Sequence, residues 1–162
     1  MFKEYTMKLF LSILIVTIFS IAMAQENNLT IELQKIQNTD NWEFNLNYEF
    51  NNSASNGILI ELPSNFKVSP TSIRISEQEM WLKNSDEPCD NDSVIHWENI
   101  DDGLIIRFAE DVIQPTTQLS VKCIAQKSAS IDEDTIVSIK QMINNNQVGD
   151  NVIASNNLNI IR

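Results

Sequence analysis

The chain has a single histidine, His96, and so one imidazole to serve as a catalytic base. A nucleophile needs such a base within hydrogen-bond reach. In Val94-Ile95-His96-Trp97-Glu98, a period of two puts His96 on the face opposite Ile95 and Trp97. Nothing in the sequence pairs it with a serine or an aspartate, so no catalytic residue is assigned and the chain is expected not to be an enzyme. Paired carboxylates can cleave glycosides, but among 22 Asp and Glu a pair carries no information. Asp101 and Asp102 stand before Gly103, where Asp serves turn geometry.

Two acidic clusters raise calcium, a cation that takes six to eight oxygens. Asp86, Glu87, Asp90 and Asp92 form the better candidate, because Cys89 lies among them; Asp132, Glu133 and Asp134 form the second. Neither has the Asp-x-Asp-x-Asp-Gly spacing of a helix–loop–helix site, and a solvated loop is the competing reading. No other metal and no cofactor is expected. Trp81, in the polar run Gln78-Glu79-Met80-Trp81-Leu82-Lys83, is a candidate exposed platform for a ligand such as a sugar. Trp42 and Trp97 are in phase with apolar neighbours and read as packed.

These residues belong to a chain that begins with an export signal. Lys3 and Lys8 precede an uncharged apolar run from Leu9 to Ile21, which ends at Ala22-Met23-Ala24. The run is too short for a membrane helix, which needs about 20 apolar residues, and no stop-transfer pattern follows. Residues 1–24 are therefore expected to be cleaved, leaving residues 25–162 as one secreted, periplasmic or cell-envelope domain without a stable membrane span. The removed segment holds two lysines and one glutamate, so the mature chain is one unit more negative than the full chain's −11. That charge disfavours nucleic acid and anionic lipid and suits cations or a basic partner. Cys89 and Cys123 are expected to form a disulfide in an exported protein, contributing about 2–4 kcal/mol through the unfolded chain. Asn28, Asn51 and Asn91 match the glycan-acceptor pattern, which has meaning only in a eukaryotic secretory pathway.

The elements that carry these residues are strands. In Trp42-Glu43-Phe44-Asn45-Leu46-Asn47-Tyr48-Glu49-Phe50 every even position is apolar and every odd one polar, the pattern of a strand with one wet face. Leu29 to Leu33 repeats it, and Asn38-Thr39-Asp40-Asn41 supplies a turn between the two. Further strands are expected at Gly57–Leu62, Phe66–Val68, Ser72–Ile75, Ser93–Trp97, Leu104–Phe108, Leu119–Ala125, Thr135–Met142 and Leu158–Ile161. Asp102-Gly103 signals a tight turn. Ser76 to Lys83 is the best helix candidate, with Ser76 and Glu79 spaced as a capping box, although an extended form fits as well. Cys123 is in phase with inward-facing Leu119 and Val121, whereas Cys89 lies in a polar loop, so their bridge would tie a loop to the core edge.

Eight to ten short strands predict an all-β fold: a single-domain antiparallel β-sandwich of immunoglobulin-like or jelly-roll type. The expected core includes Ile31, Leu33, Trp42, Phe44, Leu46, Tyr48, Ile58, Ile60, Leu104, Ile106, Phe108, Leu119 and Val121. Ile60-Glu61-Leu62-Pro63-Ser64-Asn65-Phe66-Lys67-Val68, followed by Leu104–Phe108 and Leu119–Val121, resembles the strand rhythm of immunoglobulin-like domains in microbial surface and adhesin proteins. The resemblance spans residues 58–125, matches no family-specific motif and implies no functional residue. An exported sandwich without a catalytic constellation is expected to bind a protein partner. A surface glycan, or a structural place in an envelope assembly, is the alternative.

Overall fold

A computed structural model describes residues 28–52, 56–64, 66–126, 131–132, 134–144 and 147–161. The expected export signal and its cleavage point lie outside these residues. The strands are β1 (Leu29–Lys35), β2 (Asn41–Glu49), β3 (Gly57–Glu61), β4 (Val68–Ile75), β5 (Gln78–Glu79), β6 (Trp81–Asn84), β7 (Val94–Ile100), β8 (Gly103–Arg107), β9 (Gln118–Gln126), β10 (Ile136–Asn144), β11 (Gln147–Asn157) and β12 (Asn159–Ile161). They make two six-stranded sheets. The first, sheet A, has the order β12-β1-β2-β9-β4-β5, and the second, sheet B, has β11-β10-β3-β8-β7-β6. Pairing is antiparallel except for β1 with β12 and β6 with β7. No helix among the described residues is long and apolar enough to cross a membrane.

One core lies between the sheets, built from the inward half of each alternating strand. Leu29, Ile31, Leu33, Phe44, Leu46, Val121 and Cys123 come from sheet A, and Ile58, Ile60, Ile95, Leu104, Ile106, Val137 and Ile139 from sheet B. Phe44 stacks edge-on against Phe66 with ring centroids 6.2 Å apart. Trp42 departs from the expected core. It is half-buried and packs against the core's margin, because its partner across the ladder is Lys35, beside the β1–β2 turn.

The lateral edges explain how the sandwich is closed. β5 and β6 are one run of chain that changes sheets at Met80, which is buried and donates its N–H to Ile73 O at 2.9 Å. One residue later Trp81 N–H turns to Ser93 O, 2.9 Å away, on the side of sheet B. The opposite edge does the same at buried Leu158, between β11 and β12, where the N–H bonds Thr135 O at 2.8 Å. Each edge is thus laced to the other sheet, which leaves fewer unpaired backbone groups to template foreign strands.

Two local expectations are resolved. Ser76 to Lys83 takes the extended alternative rather than the helix. Ser76 and Glu77 take left-handed φ of 47° and 70° in a two-residue hairpin turn that pairs Ile75 with Gln78. Glu79 does not reach back to a helix cap. It accepts from Ser72 Oγ and Arg74 Nε, both at 2.7 Å, across the β4–β5 ladder. The pieces on either side of Pro70 are one strand, β4, with a register shift between Pro70 and Ser72. A bulge is where a ladder tolerates proline.

The expected Cys89–Cys123 disulfide is also corrected: both thiols are free and buried. Cys123 sits in the ladder between Phe44 and Pro70, facing the core of sheet A, and burial pushes its thiol up to about 12. Cys89 belongs to the loop beside β7, where its Sγ–H donates to Val94 O at 3.0 Å. Export context argues for pairing in general, but strand phase and loop placement send these two side chains to different neighbourhoods. Ellman titration checks this: the unreduced protein in guanidinium should release both thiols, and the native protein should shield Cys123. No thiol in the denatured sample would restore the bridge.

Candidate functional site

Two surfaces bring polar side chains together. The first is the outer face of sheet A. Because β1, β2, β9 and β4 are neighbours, one cross-strand row reads Thr30, Asn47, Ser120, Arg74. The next row toward the strand ends holds Glu49 opposite Gln118, whose side chains lie 3.4 Å apart, amide to carboxylate. Asn28 and Glu77 close its two sides. Together the rows line an open trough of about 770 Å³. Its far wall is stiffened by Arg74 and Glu79, whose guanidinium–carboxylate contact is 2.7 Å. Hydrogen bonds from Arg74 and Ser72 hold the Glu79 carboxyl below the usual range. A third row, Glu32, Asn45, Lys122 and Ser72, continues the polar face.

The sequence marks Asn28 only as a glycan-acceptor match and Glu79 only as a capping partner, and it marks none of these residues as part of a binding surface. Their signal was there as the polar half of each alternating strand, but the adjacency that joins them into rows is a property of strand order.

The second surface lies on the outer face of sheet B, and it collects most of the residues proposed from the sequence. Trp81 pairs with Val94 and Lys83 with His96, so these four side chains share one side of the sheet. Trp81 is 77% exposed, as its polar surroundings predict. His96 is on the expected face but only 8% exposed, because the loop before β7 covers it. Its Nδ1 lies 3.0 Å from Glu87 O. A carbonyl only accepts, so Nδ1 carries a proton, and in the neutral ring Nε2 is the acceptor. Lys83, Glu87, Pro88, Asp90, Asn91 and His96 line a hollow of about 590 Å³ there. No hydrogen bond joins His96 to a serine, cysteine or aspartate side chain among the described residues.

The calcium candidate is only partly gathered. Glu87 and Asp90 reach this hollow, while Asp86 and Asp92 are exposed outside its lining. No three His, Cys, Asp or Glu side chains among the described residues come close enough to hold a metal ion. Glu87 instead binds Lys83 Nζ at 3.0 Å and accepts from Ser85 Oγ. Those contacts, led by the Lys83 hydrogen bond, pull its carboxyl below the usual range. Asn91 Oδ1 accepts from Ser93 N–H at 2.9 Å, which holds the loop's last turn. In the second acidic cluster, Asp132 Oδ1 accepts from Asp134 N–H and Thr135 Oγ, so it acts as a turn cap.

Farther along the same face, Arg107 and Glu98 make an ion pair of 2.5 Å, and Lys140 pairs with Glu61 at 2.6 Å. Burial works to raise the Glu61 carboxyl, but hydrogen bonds from Lys140 and Ser138 with the Lys140 charge outweigh it and lower it. Between the pairs, Leu59, Ile105 and Met142 form a small second core.

No family model matches the chain. No curated protein matches it in sequence. Among solved structures, it is similar to ACE19, the collagen-binding subdomain of the Enterococcus faecalis surface protein ACE. That similarity has a TM-score of 0.45 and 10% identity, covering 83% of this chain and 97% of that one.

Proposed function

We propose that this chain is an exported, non-catalytic binding module that holds a polypeptide partner in the trough on the outer face of sheet A. The observation that carries the reading is the pair of cross-strand rows, Thr30-Asn47-Ser120-Arg74 and Glu49-Gln118. Strands lie about 4.8 Å apart, so a four-strand row spans about 14 Å. An extended peptide advances about 3.4 Å per residue, so about four residues fit across it. Amide, hydroxyl, carboxylate and guanidinium groups supply both donors and acceptors to a backbone that carries one of each per residue. The sandwich holds these side chains on rigid strands, which limits the ordering cost of binding. The basic, apolar start of the sequence supports export, and the acidic surface keeps such a module soluble outside the cell.

Ser120→Arg tests the site, because it fills the middle of the trough from an outward position and leaves the core untouched. The immobilised protein and the variant are each exposed to an envelope extract of the source cells. A polypeptide retained by the native surface should be lost at least tenfold from the variant, with an unchanged unfolding midpoint. Equal retention by both proteins would remove the trough from the reading.

A further inference from the structure

We propose that Trp81 and the adjoining hollow of Asp90 and His96 seat an arginine side chain of a polypeptide partner. The proposal takes its partner class from the reading above, but its site is separate, on sheet B rather than sheet A.

Three observations meet there. Trp81 is a large aromatic ring left 77% exposed on an edge strand, on the same side of the sheet as the hollow. His96 is more than nine-tenths buried, lines the hollow, and has Nδ1 committed to Glu87 O, so its remaining polar atom is Nε2, an acceptor in the neutral ring. The local charge is negative: Asp86, Glu87, Asp90 and Asp92 stand against Lys83, whose ammonium is held by Glu87 at 3.0 Å. Asp90, in the lining, makes no ion pair among the described residues.

A ligand for this place must offer donors and positive charge and have a flat face. Guanidinium has all three. It stacks on an aromatic ring, and its planar N–H groups reach a carboxylate and a second acceptor at once. An ammonium group has the charge without the plane. A neutral sugar would use the ring and could donate hydroxyls to the carboxylate, but it would leave the negative charge uncompensated. The chain's net charge of −11 adds long-range attraction for a basic segment.

The test uses protein secreted from cells that express the full chain, labelled with 15N. Nα-acetyl-arginine-N-methylamide is titrated in, and the Trp81 indole and His96 ring resonances are followed. Saturable shifts of both are expected at millimolar ligand. Trp81→Ala should weaken binding about fivefold, the size of an exposed cation–π contact, and Asp90→Asn by a similar factor. Ser120→Arg should leave the titration unchanged, which separates failure here from failure of the trough. Three results would overturn the proposal: no shift with the arginine probe, equal binding of its neutral citrulline analogue, or Trp81 shifts only with an oligosaccharide such as cellotetraose.

Discussion

Glu98→Ala should lower the unfolding free energy by about 3 kcal/mol, a large effect for a side chain on the outer face of a sheet. The reason is its partner. Arg107 is 2% exposed, and its Nη2 donates to Glu98 Oε1 at 2.5 Å. Removing one member of a buried pair leaves a desolvated charge behind, which typically costs about 3–5 kcal/mol. Glu98 is itself only a quarter exposed, so solvent screening takes little from that figure. The neighbourhood sharpens the effect: Lys83, His96 and Arg107 occupy one cross-strand row on β6, β7 and β8. Removing the carboxylate therefore also takes negative charge from a row that holds two cations, Lys83 and Arg107. Urea denaturation with an unchanged m-value measures it. Glu98→Gln, which keeps an acceptor but loses the charge, should fall between wild type and Glu98→Ala. A loss below about 1 kcal/mol for the alanine variant would mean that the pair behaves as an exposed one.

The strands were legible because their signal is local. From Trp42 to Phe50 each residue's type states which side of the sheet it occupies, and Phe44, Leu46, Tyr48 and Phe50 are buried accordingly. The Asn38–Asn41 turn was legible for the same reason: Asn38 takes a left-handed φ of 60°, and Thr39 Oγ1 bonds Ile36 O at 3.1 Å. The misreadings arose where a local pattern met a non-local partner. Ser76 and Glu79 have capping-box spacing, but Glu79 has two donors waiting on β4, and a two-residue hairpin turn satisfies the backbone instead. Compartment alone argues for pairing the cysteines, whereas Cys123's own strand phase points it into the core. Trp81 was found by its polar surroundings. The hollow beside it was not, because it needs the parallel β6–β7 pairing that brings Lys83 beside His96. The trough on sheet A was invisible for the same reason, since β9 inserts between β2 and β4 from far along the chain.

Gly103→Ala should be the other costly substitution, at about 3 kcal/mol, and its sign runs against the usual rule. Glycine inside a strand is normally a weak choice, so alanine there would be expected to stabilise. Gly103 is the exception because of what faces it. It opens β8 after the two-residue turn Asp101-Asp102 and pairs with Glu61 of β3. A Cβ on Gly103 would collide with the Ile60 carbonyl oxygen and lie 3.0 Å from both Ile60 C and Leu59 Cδ1. Backbone atoms cannot rotate away as a side-chain tip can, so β3 and β8 must separate. Leu62 N–H donates to Asp102 O at 2.9 Å beside this point, and that bond would strain with them. Forcing atoms into a packed site costs about 1–3 kcal/mol and sometimes more; a clash with main chain belongs at the upper end. For a chain of this size about 3 kcal/mol corresponds to a drop of roughly 10 °C in Tm. Gly149→Ala is the internal control. Its added Cβ would stand 3.0 Å from Gln141 O and 3.4 Å from a movable Ile143 side chain, a contact that small shifts can relieve. Differential scanning calorimetry of the two variants should therefore show a much lower Tm for Gly103→Ala and a smaller change for Gly149→Ala. Equal shifts would mean that β3 and β8 do not approach as closely as the pairing of Glu61 with Gly103 requires.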